Sequence, residues 1–161
     1  MNNREKIKKI RGVIDEIMEF LEYHVDDATK HFVPGFQDSL ELLEEYIDII
    51  NKKKLMQIEG VLKKMEFSFG LKGTRYLCDA ILFALEGQAS LADIYARVAI
   101  RHNNNEKAVE KDIRVAIENA WSAVDIKKLR KLYPFEWNDR TGRPANAEFI
   151  KNVALLIEEQ G

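Results

Sequence analysis

Lys107, Glu110, Lys111 and Arg114 carry side chains suited to reading the edges of nucleic-acid bases. A guanidinium donates bidentately to guanine, an ammonium reaches guanine or phosphate oxygens, and a carboxylate accepts from the cytosine amine. On a helix turning about 100° per residue, counted from Val109, Lys107, Lys111, Arg114 and Glu118 fall opposite an apolar stripe of Val109, Ile113, Ala116, Ile117 and Ala120. Glu110 lies beside the cations, and Asp112 falls on a flank. The same spacing also suits an ordinary solvated face with Lys and Glu one turn apart. Further basic or polar residues could position a duplex: Arg97, Arg101 and Asn104 before this helix, Lys127, Lys128, Arg130 and Lys131 after it, and Arg140 and Arg143 ahead of the last helix. Contacts of that kind meet phosphate, so they set affinity and register without setting sequence preference.

Other chemistries are poorly supplied. The sequence has no Gly-x-x-x-x-Gly-Lys phosphate loop, no Cys-x-x-Cys pair, no His-Glu-x-x-His and no Gly-x-Ser-x-Gly elbow, so neither an enzyme nor a cofactor is expected. His24, Asp27 and His31 share a helix face, with Glu41, Glu44 and Glu45 across an expected hairpin. A closed metal site needs a defined fourth ligand and a second shell, and no residues can be named for them, so no metal is expected. The residues after His24, Val-Asp-Asp-Ala-Thr, do not make a phosphoacceptor box. Met18, Met56 and Met65 suit packing, and Cys78 suits a small buried hydrophobe.

The elements that position these residues follow from periodicity and caps. Ile7, Ile10, Ile14, Ile17 and Leu21 alternate at three and four residues, which predicts one amphipathic helix over 5–31. Phe32-Val33-Pro34-Gly35 interrupts it. A second run carries Phe36, Leu40, Leu43, Ile47, Ile50, Ile58, Leu62 and Met65, with a weak spot at Asn51-Lys52-Lys53-Lys54. The pair forms an expected helical hairpin over 1–69, for dimerisation or sensing. Two helices bury little alone, so a homodimer is expected, with Ile7, Ile14, Leu21, Leu40, Leu43, Ile47 and Ile50 supplying the interface.

A glycine joint spans Gly70 to Gly73, and Thr74 is the expected cap of a helix through Glu86 that Gly87 ends. Ser90 caps the next helix, to about Arg101, and His102-Asn103-Asn104-Asn105 makes a turn. Asn105 caps a helix from Glu106 to about Ser122, with Trp121 at the edge of its buried stripe, and further helices cover 125–132 and 147–159. No strand alternation emerges, so the fold is all-α. Two helices joined by a short turn, the second capped and cationic outside, form the helix-turn-helix pattern, placed in a domain over 70–161.

Composition bounds the alternatives. The 161 residues hold 25 Lys+Arg and 27 Asp+Glu for a net charge of −2, with 46% apolar and 32% charged residues, a balance that folds and does not suit disorder. One cysteine cannot form an internal disulfide, the N-terminus lacks an apolar h-region, and no stretch approaches the roughly 20 apolar residues of a bilayer span. A cytoplasmic protein without a membrane partner is expected. Bulk charge gives no argument for nucleic acid: residues 67–161 carry 14 Lys+Arg and 13 Asp+Glu, and the first 66 carry 11 and 14.

Four blocks, in order, resemble a known family: Gly73-Thr-Arg-Tyr-Leu-Cys-Asp-Ala-Ile81, Tyr95-Ala-Arg-Val-Ala-Ile-Arg-His102, Val109-Glu-Lys-Asp-Ile-Arg-Val-Ala-Ile-Glu-Asn-Ala-Trp-Ser122 and Arg143-Pro-Ala-Asn-Ala-Glu-Phe-Ile150. Across residues 70 to 157 the chain is similar to the C-terminal effector domain of the stage-zero sporulation response regulator. The resemblance implies a six-helix domain binding double-stranded DNA, with the helix from Glu106 in the major groove and the helix near Asp125 to Lys131 facing RNA polymerase. Glu110, Lys111 and Arg114 match family positions, whereas Ala108 stands where an arginine is usual and Val115 where a histidine is usual. The first 66 residues offer no receiver pattern of alternating strands and helices, so the family's phosphorylation switch does not carry over to them. Two readings follow: a DNA-binding transcriptional regulator, which the retained residues favour, or a partner-binding protein acting on the sporulation regulator or on polymerase, which the two substitutions favour.

Overall fold

A computed structural model of the chain describes residues 3–24, 33–87 and 90–159. Among them it contains seven helices: α1 (Asn3–His24), α2 (Val33–Lys64), α3 (Lys72–Leu85), α4 (Leu91–Arg101), α5 (Glu106–Ala123), α6 (Ile126–Leu132) and α7 (Asn146–Glu159). The all-α expectation holds, and an isolated bridge between Asn138 and Arg143 is the extended pairing seen among these residues. The chain divides into two compact units, Met1–Lys52 and Lys53–Gly161.

In the first unit, Pro34 and Gly35, expected to be part of an interruption, lie in the first turn of α2 instead. Proline is tolerated in a first turn, where its missing N–H would have had no partner. Ser39 Oγ donates to the Gly35 carbonyl at 2.8 Å. Arg11 of α1 donates to Glu44 of α2 at 3.0 Å, which brings the two helices side by side there. Asp27 and His31 and the side chain of His24, considered above for metal or phosphate chemistry, lie outside the described residues.

The expected weak spot at Asn51-Lys52-Lys53-Lys54 does not interrupt α2. Lysine is a good helix former, and the apolar period resumes at once with Leu55, Ile58, Leu62 and Met65, which join the core of the second unit. The helix stops at Glu66, whose φ of 62° is left-handed. Phe67 N–H bonds the Leu62 carbonyl at 3.0 Å and Glu66 N–H the Lys63 carbonyl at 3.0 Å, a Schellman ending in which Phe67 and Leu62 both enter the core.

Five helices follow residue 70; the sixth helical segment of the second unit is the closing part of α2. Its centre is α3, buried from Tyr76 through Phe83 on every side, as a helix apolar all round should be. α3 packs on α5 and α7, and α4 packs on α5. Thr74 does not cap α3. The helix begins at Lys72 behind Leu71, and Thr74 is wholly buried inside it. Gly73 likewise serves packing as part of α3: a Cβ there would lie 1.9 Å from the Asp112 carbonyl oxygen of α5. The other ends fall as expected, with Gly87 at φ 85° closing α3 and Ser90 and Asp93 forming a reciprocal capping box on α4. Trp121 sits edge-on to Tyr133, Trp137 and Phe149 at 5.4–5.8 Å and seals the far end of α5.

Candidate nucleic-acid interface

The turn between α4 and α5 is built from asparagines. Asn103 adopts φ 49°, and Asn104 N–H reaches back to the Ala99 carbonyl at 2.9 Å, which closes α4. Asparagine tolerates this left-handed geometry better than most residues. Asn105 Oδ1 then accepts from Ala108 N–H at 2.9 Å and starts α5. The buried stripe of α5 is Val109, Ile113, Ala116, Ile117 and Ala120, the five residues expected.

α3 holds this turn in place. Asp79, 8% exposed, accepts from Arg101 Nη1 at 2.5 Å and pairs with His102 Nε2 at 2.6 Å. Tyr76 stacks obliquely on His102, ring centres 4.7 Å apart, and its hydroxyl accepts from Asn104 Nδ2 at 3.1 Å. The last residues of α4 and the turn are thus fastened to one helix by two side chains that sequence reasoning did not select. The signal available was a lone carboxylate in the apolar run Tyr-Leu-Cys-Asp-Ala-Ile; a buried charge requires a partner. A second fastening comes from α7. Asn146 Nδ2 donates to the Tyr95 hydroxyl of α4 and to the Glu110 carbonyl of α5, both at 3.0 Å. Burial raises the Tyr95 pKa, so the phenol stays protonated and able to hydrogen-bond.

The cations divide into two groups. Arg97 pairs with Glu86 at 2.6 Å and lies over the Phe83 ring at 3.8 Å. Arg101 pairs with Asp79, Lys128 with Glu66 at 2.5 Å, Arg143 with Glu118, and Arg130 with Glu136 at 3.7 Å. Lys107, Lys111 and Arg114 are exposed on the outer face of α5, with Glu110 beside them, and no ion pair to them is present among the described residues. The same holds for Lys127 and Arg140. Arg140 projects from a turn closed by Gly142 N–H on the Asn138 carbonyl at 2.8 Å. Of the two departures from the family pattern, Ala108 is half-buried and Val115 is 36% exposed beside Lys111 and Arg114 on the outer face.

No helix among the described residues is long and apolar enough to cross a membrane, and no group of three metal-ligating side chains occurs among them. Cys78 is buried, and desolvation pushes its thiol up to about 12, which leaves it protonated and a poor nucleophile.

Residues 58–157 match the family model of the sporulation initiation factor Spo0A C-terminal domain. The match opens at Ile58, a fully buried residue of α2 that belongs to the core of the second unit. It closes at Ile157, the last buried residue of α7, and it contains the whole of the α4–turn–α5 arrangement. The chain therefore belongs to the Spo0A C-terminal family of DNA-binding effector domains.

Proposed function

We propose that the chain is a transcriptional regulator in which α5 enters the major groove and reads bases with Lys107, Glu110, Lys111 and Arg114. The observation that carries this reading is the division of the cations. Arg97, Arg101, Lys128 and Arg143 already have acidic partners, whereas Lys107, Lys111 and Arg114 share one outward face of a helix fixed at both ends. Lys127, Arg140 and the Asn105-capped start of α5 are free to take phosphate; Arg97, Arg101, Lys128 and Arg143 reach it by exchanging a carboxylate for it.

Switching by receiver phosphorylation within these residues has no support, since residues 3–24 and 33–64 are helical where a receiver alternates strands and helices. We assign the first unit to self-association, and the exposed face of α6, with Ile126, Lys127 and Lys131, to RNA polymerase. A dimer places two recognition helices on two half-sites, which multiplies contacts for an effector of near-neutral charge. The second reading, a partner-binding protein with little DNA affinity, draws on Ala108 and Val115, which offer no polar group to a base where an arginine and a histidine are usual in the family.

Titration of labelled duplexes carrying the family's operator box against scrambled duplexes, at two salt concentrations, tests the proposal. Arg114→Ala should cost about 1–3 kcal/mol on the preferred duplex and relax base preference at one position. Lys127→Ala should weaken both duplexes alike and lower the salt slope by about one. Equal, weak binding of both duplexes by wild type and Arg114→Ala, with one common salt slope, gives the lead to the partner-binding reading.

A further inference from the structure

The first unit leaves two lines of apolar side chains open. On α2 they are Leu42, Tyr46 and Ile49; on α1, Ile10, Val13 and Ile17; all six are 48–66% exposed. Each line repeats at three and four residues, the spacing of a helix-pairing seam. Leu40 is buried and Glu44, Ile47 and Asn51 are half-buried on the other side of α2, where Arg11 of α1 reaches Glu44. The open line is therefore not the surface that α1 and α2 spend on each other.

We propose that this open face is the contact with a second copy of the chain, in which α2 lies antiparallel on the partner's α2 and α1 antiparallel on the partner's α1, about one two-fold axis. The inference rests on the homodimer reading above but corrects its face. Leu40 is buried and Ile14 and Ile47 are half-buried, so of the expected interface residues Leu43 and Ile50 remain as flanks of the open seam, and the side chains of Ile7 and Leu21 lie outside the described residues. The occupant follows from self-complementarity, since a two-fold contact must match its own reverse. Glu45 and Lys52, both exposed, flank the α2 seam on one side and stand seven residues apart. Setting Tyr46 against the partner's Ile49 in antiparallel order brings Glu45 beside the partner's Lys52, and Lys52 beside the partner's Glu45. On the other flank the same register sets Leu43 against the partner's Ile50, so one side of the seam is ionic and the other apolar.

A parallel pairing of the same seam would place Glu45 against the partner's Ile50 and would offer Lys52 no acid. Flanking charges of this kind set orientation more than affinity. α1 repeats the device independently: Lys9 and Glu16, exposed and seven apart, flank Ile10, Val13 and Ile17. Setting Ile10 against the partner's Val13 brings Lys9 beside the partner's Glu16. Two helices with the same two-fold charge code point to one symmetric four-helix contact.

Sedimentation equilibrium of the full chain tests this. Wild type should be a dimer, and Ile49→Glu and Val13→Glu should each raise the dissociation constant at least tenfold with helicity unchanged. Glu45→Lys alone and Lys52→Glu alone should each raise it about tenfold, from the loss of two exposed pairs, and the double variant Glu45→Lys/Lys52→Glu should restore it. A monomer at every concentration overturns the homodimer reading and this face together, and would leave the seam to a different partner. A dimer indifferent to Ile49→Glu and Val13→Glu overturns this face while the homodimer stands. A double reversal as weak as the single ones overturns the antiparallel register.

Discussion

The two units use the same raw material, amphipathic helices, to opposite ends. In Met1–Lys52, Ile10, Val13, Ile17, Tyr23, Leu42, Leu43, Tyr46 and Ile49 are large, apolar and exposed. In Lys53–Gly161, over twice as long, Met56, Ile100, Val115, Ile126 and Leu155 are the exposed counterparts among the described residues, and a continuous core runs from Ile58 to Ile157. An exposed apolar side chain taken singly is ordinary, but a line of them along a helix forgoes burial worth about 1.5–3 kcal/mol for each large side chain. The second unit closes its core with its own helices; the first leaves these side chains exposed.

Glycines break the comparison most sharply. Gly73→Ala in the second unit should cost about 3 kcal/mol or more, because its methyl group would meet the Asp112 carbonyl at 1.9 Å and push α5 off α3. Thermal unfolding would show this as a fall in Tm, and an unchanged Tm would mean that the α3–α5 contact is loose. Asp79→Ala should cost about 2 kcal/mol, since it strips Arg101 and His102 of their shared acceptor. It should also speed amide exchange at Asn103 and Asn104 ahead of global unfolding. Slow exchange there would show that the asparagine turn holds itself.

Smaller effects test local rules. Asn105→Ala should cost about 1 kcal/mol by removing the cap of α5, read by chemical denaturation. Gly12→Ala should change stability least and in the opposite direction. Among the described residues no atom lies within 4 Å of its missing Cβ, so alanine should stabilise α1 by about 0.5–1 kcal/mol through helix propensity. A loss of stability at Gly12 would mean that its face of α1 is covered.

Much of the effector fold was legible along the chain. Gly87, Ser90 and Asn105 mark helix ends as expected, and Asp125, expected as the first residue of its helix, caps it instead, because a cap acts on backbone groups two or three residues away. The stripe of α5 was legible for a similar reason, since residues one turn apart share a face. Ile58, Leu62 and Met65 were legible as helical but not as core of the effector, because a period records that a face is apolar and not what it faces. The expected boundary at residue 69 therefore lies well beyond Lys52, where the compact units divide.

The sequence by itself determined the helical class, most helix ends and the cationic face of α5, all set by interactions spanning a few residues. The tertiary structure alone decided which cations remain available. Arg101 meets Asp79 across 22 residues, Arg143 meets Glu118 across 25, and Lys128 meets Glu66 across 62. It also decided that Gly73 must lack a Cβ and that Asn146 ties α7 to both helices of the motif. Such pairings join residues far apart in the chain, and only the packing of the second unit's helices and loops brings them within hydrogen-bonding reach.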